Sequence, residues 1–220
     1  MVTCCQCEGL ESQFGPETAE RELRRFRRRG PIRSTRLLID DVREAGIAGA
    51  SLLDIGGGIG AIHHTLLDSG ARDAVHVDVS ANYIDAARDE ASRRGHADRV
   101  RFVHGDFVQL SPSLADADIV TLDRVICCYP DMESLVSHAA DRTRRIFGAV
   151  YPRDRWWVRL GVRSINALLR LRRSAFRVYV HSPAGIEVVL RSHGLEPVKR
   201  RRTAVWEIAI YTRRAAVLGA

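Results

Sequence analysis

Three glycines, Gly56, Gly58 and Gly60, follow Leu52-Leu53-Asp54-Ile55 and precede an apolar segment beginning at Ala61. The aliphatic part reads as a short buried strand and Ala61 to Asp68 as the start of a helix. A glycine-rich turn between the two lets the backbone approach a ligand closely, because no Cβ intrudes. It also leaves unpaired N–H groups at the helix N-terminus. Three carboxylates recur at the ends of later apolar runs: Asp78 in His76-Val77-Asp78-Val79-Ser80, Asp106 in His104-Gly105-Asp106-Phe107, and Asp123 in Thr121-Leu122-Asp123-Arg124. A carboxylate has two acceptor oxygens, so Asp78 suits a pair of sugar hydroxyls. Asp123, Tyr129 and His181 are the side chains we single out for proton transfer. His138 reads as an exposed helix residue.

The elements that must position these groups alternate. Strands are expected at 51–55, 74–79, 100–104, 119–122 and 145–151. Helices are expected at 62–67, from the Ser80 cap to about Arg94, and at 132–142. Such alternation means a parallel sheet built from crossovers. The end of the chain differs. Ser182-Pro183 is a good N-cap and first-turn pair for a helix running to about His193. Two strands then follow, at 196–202 and 205–211, joined by a very short link, which makes an antiparallel hairpin. Two further helices, 17–29 and 33–45, precede the first strand. The expected fold is α/β: a Rossmann-like, seven-stranded, mostly parallel sheet with a C-terminal antiparallel hairpin and helices on both faces. Residues 1–220 form one domain, with 1–46 as N-terminal helices and 153–173 as a lid-like insertion. In an open sheet of this kind ligands bind outside the carboxyl ends of the strands, where all three carboxylates fall.

The pattern Asp-x-Gly-x-Gly-x-Gly at 54–60 resembles the first motif of class I S-adenosylmethionine (SAM) dependent methyltransferases. The resemblance implies that Asp54, Gly56, Gly58 and Gly60 surround the methionine part of the cofactor. It also implies that Asp78, followed by Val79, receives the ribose hydroxyls, that Asp106 and Phe107 meet the adenine, and that Asp123, in the segment facing the transferring methyl, borders the cofactor. Gly56, Gly58 and Ala61, with Asp78 as ribose acid, also satisfy a dinucleotide fingerprint. The terminal hairpin is not needed by a dinucleotide fold and favours the methyltransferase. The stretch Leu122-Asp123-Arg124-Val125-Ile126-Cys127-Cys128-Tyr129-Pro130, with Tyr179-Val180-His181, is similar to the magnesium-protoporphyrin O-methyltransferases. These commonly have histidine where this chain has Cys128. The implied activity is SAM-dependent methylation of a small-molecule acceptor, at oxygen, leaving S-adenosylhomocysteine. Alternatives are a protein that binds SAM without turnover and a nicotinamide-dependent oxidoreductase.

The net charge is +7, and Lys199 is the one lysine among 34 basic residues. Arginine in place of lysine reads as the codon bias of a GC-rich bacterium, so we expect no nucleic-acid partner. The basic excess lies after Arg142 and fits an acidic or aromatic acceptor. Residues 153–173 interleave Trp156, Trp157, Leu160, Ile165, Leu168 and Leu169 with arginines. As a lid, the segment would turn Trp157 inward; as a basic amphipathic helix, it would meet a membrane surface. No signal peptide or membrane-spanning run is seen, which gives a cytoplasmic expectation. Cys4, Cys5 and Cys7 are read as an unremarkable terminal segment, without a structural metal. His63 and His64 are expected near the cofactor carboxylate or on the helix surface. The oligomeric state is not readable.

Overall fold

The computed structural model describes residues 15–214, so Cys4, Cys5 and Cys7 lie outside the described residues. Seven strands form one sheet: β1 (Ser51–Ile55), β2 (Asp73–Asp78), β3 (Val100–His104), β4 (Ala117–Asp123), β5 (Thr143–Pro152), β6 (Leu195–Arg202) and β7 (Trp206–Arg213). Their order is β3-β2-β1-β4-β5-β7-β6. The first five pair in parallel, while β7 runs antiparallel to both β5 and β6. The expected mostly parallel sheet with a terminal hairpin is therefore what the chain forms. The last strand, β7, is the one inserted beside β5.

Alternation along the strands divides the core between the two faces. Leu53 and Ile55 of β1 pack with Val120 and Leu122 of β4, and with Phe147 and Tyr211. Leu52 and Ile119, one residue out of step, pack on the opposite side with Val150, Ile208 and Ile210. All five residues of β1 are buried, as a central parallel strand covered on both faces requires.

Helices complete each layer. Leu38, Ile39 and Val42 of α2 (Arg33–Glu44) and Ile62, Leu66 and Leu67 of α3 (Ala61–Asp68) cover one face. Leu135 and Val136 of α6 (Met132–Asp141), with Ile186 and Leu190 of α8 (Pro183–Ser192), cover the other. The caps read from sequence are present. Ser80 accepts the Tyr83 N–H at the start of α4 (Ala81–Arg94), and Ser182 accepts the Gly185 N–H at the start of α8. Gly95 ends α4 in the left-handed conformation that glycine adopts without a Cβ clash.

Helix α1 (Pro16–Arg29) sits above the carboxyl end of β1. Its Ala19, Leu23 and Phe26 pack against Ile59 and Tyr83. Arg27 and two arginines near the end of α4, Arg93 and Arg94, converge on the fully buried Glu90 carboxylate. This charge cluster holds the Glu90 pKa well below the usual range against the opposing effect of burial. It ties α1 to α4 and so closes one side of the space over the glycine turn.

Residues 153–173 form α7 (Trp156–Leu171), of which only Val158 and Leu169 are buried. Among the described residues no helix is long and apolar enough to cross a membrane.

Candidate active site

A cavity of about 190 Å³ opens at the carboxyl ends of β1, β2, β3 and β4. Its walls bring together residues far apart in the chain. Ile55, Gly56 and Gly58 come from β1 and its turn, Asp78 and Val79 from β2, and Gly105, Asp106 and Phe107 from β3. Asp123 ends β4, and Arg124, Val125, Cys128 and Tyr129 follow it. This is the switch point at which β1 has β2 on one side and β4 on the other.

The turn after β1 is tied to β2. The N–H groups of Gly56 and Gly57 donate to the Val77 carbonyl at 2.7 and 3.4 Å. Asp78, 8% exposed, holds the next link: its Oδ2 accepts the Gly58 N–H at 2.9 Å and its Oδ1 the Ser80 N–H at 2.8 Å. Each oxygen thus keeps acceptor capacity toward the cavity. Burial raises the Asp78 pKa to about 6, outweighing these amide hydrogen bonds. Gly58 has φ +55°, and a Cβ there would have no neighbour closer than 3.8 Å, so it would project into open cavity.

Asp54 lies beneath the turn. It is buried, its Oδ1 accepts the Thr121 hydroxyl at 2.8 Å, and its Oδ2 sits 2.9 Å from His63 Nδ1. A ring nitrogen of His76 completes a group whose three atoms lie within 4.8 Å of one another. Burial lowers the pKa values of His63 and His76 to about 3 and that of His64 to about 2, so all three are neutral imidazoles. The expectation that His63 and His64 lie near a ligand or on the surface is therefore corrected. Both are fully buried: Asp54 of β1 and His76 of β2 lie against His63, while His64 has its Nε2 3.1 Å from the Ala87 carbonyl of α4 and its Nδ1 3.3 Å from His96. Gly60 faces this cluster as well: its Cβ would come within 2.6 Å of the His63 ring. Gly60 thus supports the turn from below, and Asp54 beneath it borders only a second, adjoining cavity, whereas Gly56 and Gly58 border both.

At the β3 end, Asp106 caps the short helix α5 (Phe107–Leu110), its Oδ1 accepting the Val108 N–H at 3.0 Å. The Tyr129 hydroxyl donates to Asp106, 3.1 Å from Oδ2. Tyr129, singled out for proton transfer, is thereby engaged on the Asp106 side of the cavity. His181 is not among the residues lining it. Its Nε2 lies 2.9 Å from the Tyr129 carbonyl, and its ring stacks on Tyr179. Burial lowers its pKa. These contacts brace the segment after β4 rather than face the cavity.

Asp123 does border the cavity. Thr35 of α2 donates to its Oδ2 at 2.5 Å, and Arg124 lies 3.5 Å from Oδ1. Burial raises its pKa. Arg124 has φ +63°, a sparsely populated conformation for a residue with a side chain, and it borders this cavity and a second, adjoining one. The second cavity lies between the glycine turn and the N-terminal helices and also exposes Arg25 and Glu22. Neither Glu22, Arg25 nor Tyr83 was legible as a site residue: helical spacing marks the apolar face of α1, not where that helix docks. Cys128 borders the main cavity with Cys127 Sγ 3.8 Å away, and the hydrogen bond from Cys127 lowers the Cys128 pKa. Trp157, expected on the inner face of a lid, borders neither cavity and is 43% exposed.

Residues 52–145 match the family model described as a methyltransferase domain. No curated protein matches the chain. Among solved structures, magnesium protoporphyrin IX methyltransferase (ChlM) from Synechocystis PCC 6803 with bound SAH superposes with a TM-score of 0.71 at 20% identity, covering 93% of this chain and 98% of that one. A putative sarcosine dimethylglycine methyltransferase from Galdieria sulphuraria gives 0.67 at 13% identity, over 84% and 87%. The [4+2]-cyclase SpnF gives 0.61 at 16% identity, over 81% and 80%.

Proposed function

We infer that this chain, which carries a methyltransferase domain on a class I methyltransferase fold, binds S-adenosylmethionine and methylates a small-molecule acceptor at oxygen. One observation carries the cofactor assignment. A single cavity gathers a side-chain-free Gly58, a buried acceptor at Asp78 and the Asp106-Phe107 pair, each from a different strand end. These residues fit the cofactor. Asp78 offers the ribose its two remaining acceptor positions, Phe107 and Asp106 flank the adenine, and the space over Gly58 takes the methionine chain. Arg25 and Arg124 at the adjoining cavity complement its carboxylate. When bound, the cofactor supplies an electrophilic sulfonium methyl. The chain's own task is to align the acceptor, exclude water and manage one proton.

Asp123 is the group we assign to that proton. It reaches the cavity, and burial raises its pKa, so its ionised carboxylate is a stronger base for the proton of an acceptor hydroxyl. Val79, Val125 and Cys128 form an apolar wall that suits an aromatic hydroxyl acceptor. The arginines of α7, by contrast, do not reach either cavity, which removes the support they lent to an acidic acceptor. Asp123→Asn keeps the Thr35 hydrogen bond but cannot accept a proton. It should lower kcat about 100-fold, with SAM affinity within about threefold of the parent. Unchanged kcat would remove Asp123 from proton transfer and point to an acceptor already ionised in water, such as a carboxylate.

Charge on Asp78 makes a second test available. A carboxylate with a pKa of about 6 that binds hydroxyl donors in its ionised form must release a proton when ligand binds at lower pH. SAM affinity measured calorimetrically should therefore be flat above pH 7 and about tenfold weaker at pH 5. The decisive assay is transfer of a labelled methyl group across a panel of phenols, enols and carboxylic acids, with SAM and NADH titrations in parallel. Tight SAM binding without product across the panel would favour a binding protein. NADH binding without SAM binding would favour an oxidoreductase.

A further inference from the structure

We propose that α7 is an in-plane membrane anchor that docks the protein on an anionic lipid surface. Sixteen residues make a helix about 24 Å long. Trp156, Leu160 and Leu171 are 72%, 55% and 81% exposed, and Trp157, Ile165 and Leu168 are each more than two-fifths exposed. At about 100° per residue these six side chains occupy one continuous half of the helix surface. A monomeric water-soluble protein rarely leaves so contiguous an apolar face uncovered. The buried residues Val158 and Leu169 lie on the other side, and no residue of α7 borders either cavity. The exposed face is thus turned away from the site.

Charge identifies what covers it. Arg155, Arg163, Arg170, Arg172 and Arg173 are exposed, and none of them has an ion pair or side-chain hydrogen bond among the described residues. Arg159 alone pairs, with Asp154, and Asp154 is the one acidic residue from 153 to 177. Acidic partners are at hand elsewhere, as Glu90 is for Arg27, Arg93 and Arg94. Arg159, Arg163 and Arg170 lie in a narrow arc bordering the apolar half. That is the arrangement of a helix lying at the headgroup boundary, with apolar side chains below and cations beside anionic headgroups. A second copy of the chain would cover the apolar face but would set one row of unpaired arginines against another. A polyanion in water would meet the arginines and leave the tryptophans exposed. An anionic bilayer satisfies both, and the inference does not depend on the identity of the methyl acceptor.

The full chain should co-sediment with vesicles of phosphatidylcholine containing about one-third phosphatidylglycerol, and at least tenfold less with phosphatidylcholine alone. Tryptophan emission should shift to the blue and be quenched by brominated acyl chains. Arg163→Gln with Arg170→Gln should weaken partitioning about 25-fold, some fivefold for each charge, and raised salt should act in the same direction. Leu160→Asp with Leu168→Asp should abolish it while circular dichroism and SAM affinity stay at parental values. Absence of binding to the anionic vesicles overturns the proposal, as does equal binding to both compositions. A concentration-dependent dimer that the leucine variant dissociates, without vesicle binding, would overturn it in favour of a second copy.

Discussion

Gly58→Val should abolish SAM binding, lowering affinity more than 100-fold, while the chain still folds. At φ +55° a β-branched residue is strained by about 1–2 kcal/mol, which a domain of this size absorbs as a few degrees of melting temperature. The steric effect falls on the ligand instead. A Cβ at Gly58 meets the Tyr83 ring only at 3.8 Å, so the branched side chain extends into the cavity in which the methionine chain is proposed to lie. Its neighbours supply the controls. A Cβ at Gly57 would lie 2.6 Å from His76 Nδ1 and 2.9 Å from Asp54 Oδ2, and one at Gly56 would lie 2.5 Å from Val125 Cγ2. Gly57→Ala should thus act on stability, through the buried histidine cluster, before it acts on binding. Melting temperature and calorimetric affinity measured on both variants separate the two modes. A folded Gly58→Val protein with parental affinity would show that the turn is a structural link and that the cofactor assignment is wrong.

Much of this arrangement is legible because it is local. The strand–glycine–helix unit at 51–68 and the caps at Ser80 and Ser182 are short-range patterns that need few distant contacts. The sheet followed from their alternation, since strands separated by crossover helices pair in parallel and the short link at the end allows a hairpin. What the spacing could not convey was direction. His63 follows the glycines directly, yet α3 turns it down onto Asp54, where it loses its charge. His181 looks like a base in one dimension, but its ring is held by a carbonyl of the segment after β4. Trp157 sits in an apolar helix whose inner face is carried by Val158 and Leu169. The contribution of α1, through Glu22 and Arg25, depends on a docking interaction fixed by the buried Glu90 carboxylate about 60 residues away. In each case the residue type is readable and its partner is not.

Asp78→Ala should lower SAM affinity about 30- to 100-fold, the effect of losing about 2–2.7 kcal/mol, within the range for one hydrogen bond to a charged acceptor. The substitution also frees the Gly58 and Ser80 N–H groups that the carboxylate holds at 2.9 and 2.8 Å, so the turn loses a restraint as well as the ribose its acceptor. Asp78→Asn distinguishes the two contributions. It preserves size and one acceptor oxygen but carries no titratable charge. Its affinity should still fall, and the weakening between pH 7 and pH 5 should disappear. The effect on the empty protein has the opposite sense. A carboxyl whose folded pKa is raised to about 6 binds its proton more tightly folded than unfolded. The stability it contributes is fully present below about pH 4 and is lost as pH rises through about 6. Removing the charge should consequently flatten the ligand-free stability profile between pH 4 and 6. A variant that keeps the pH dependence of binding would place the titrating group elsewhere, with Asp123 the next to test. A variant that loses the pH dependence and retains full affinity would mean that Asp78 serves the turn alone and leaves the ribose to other groups.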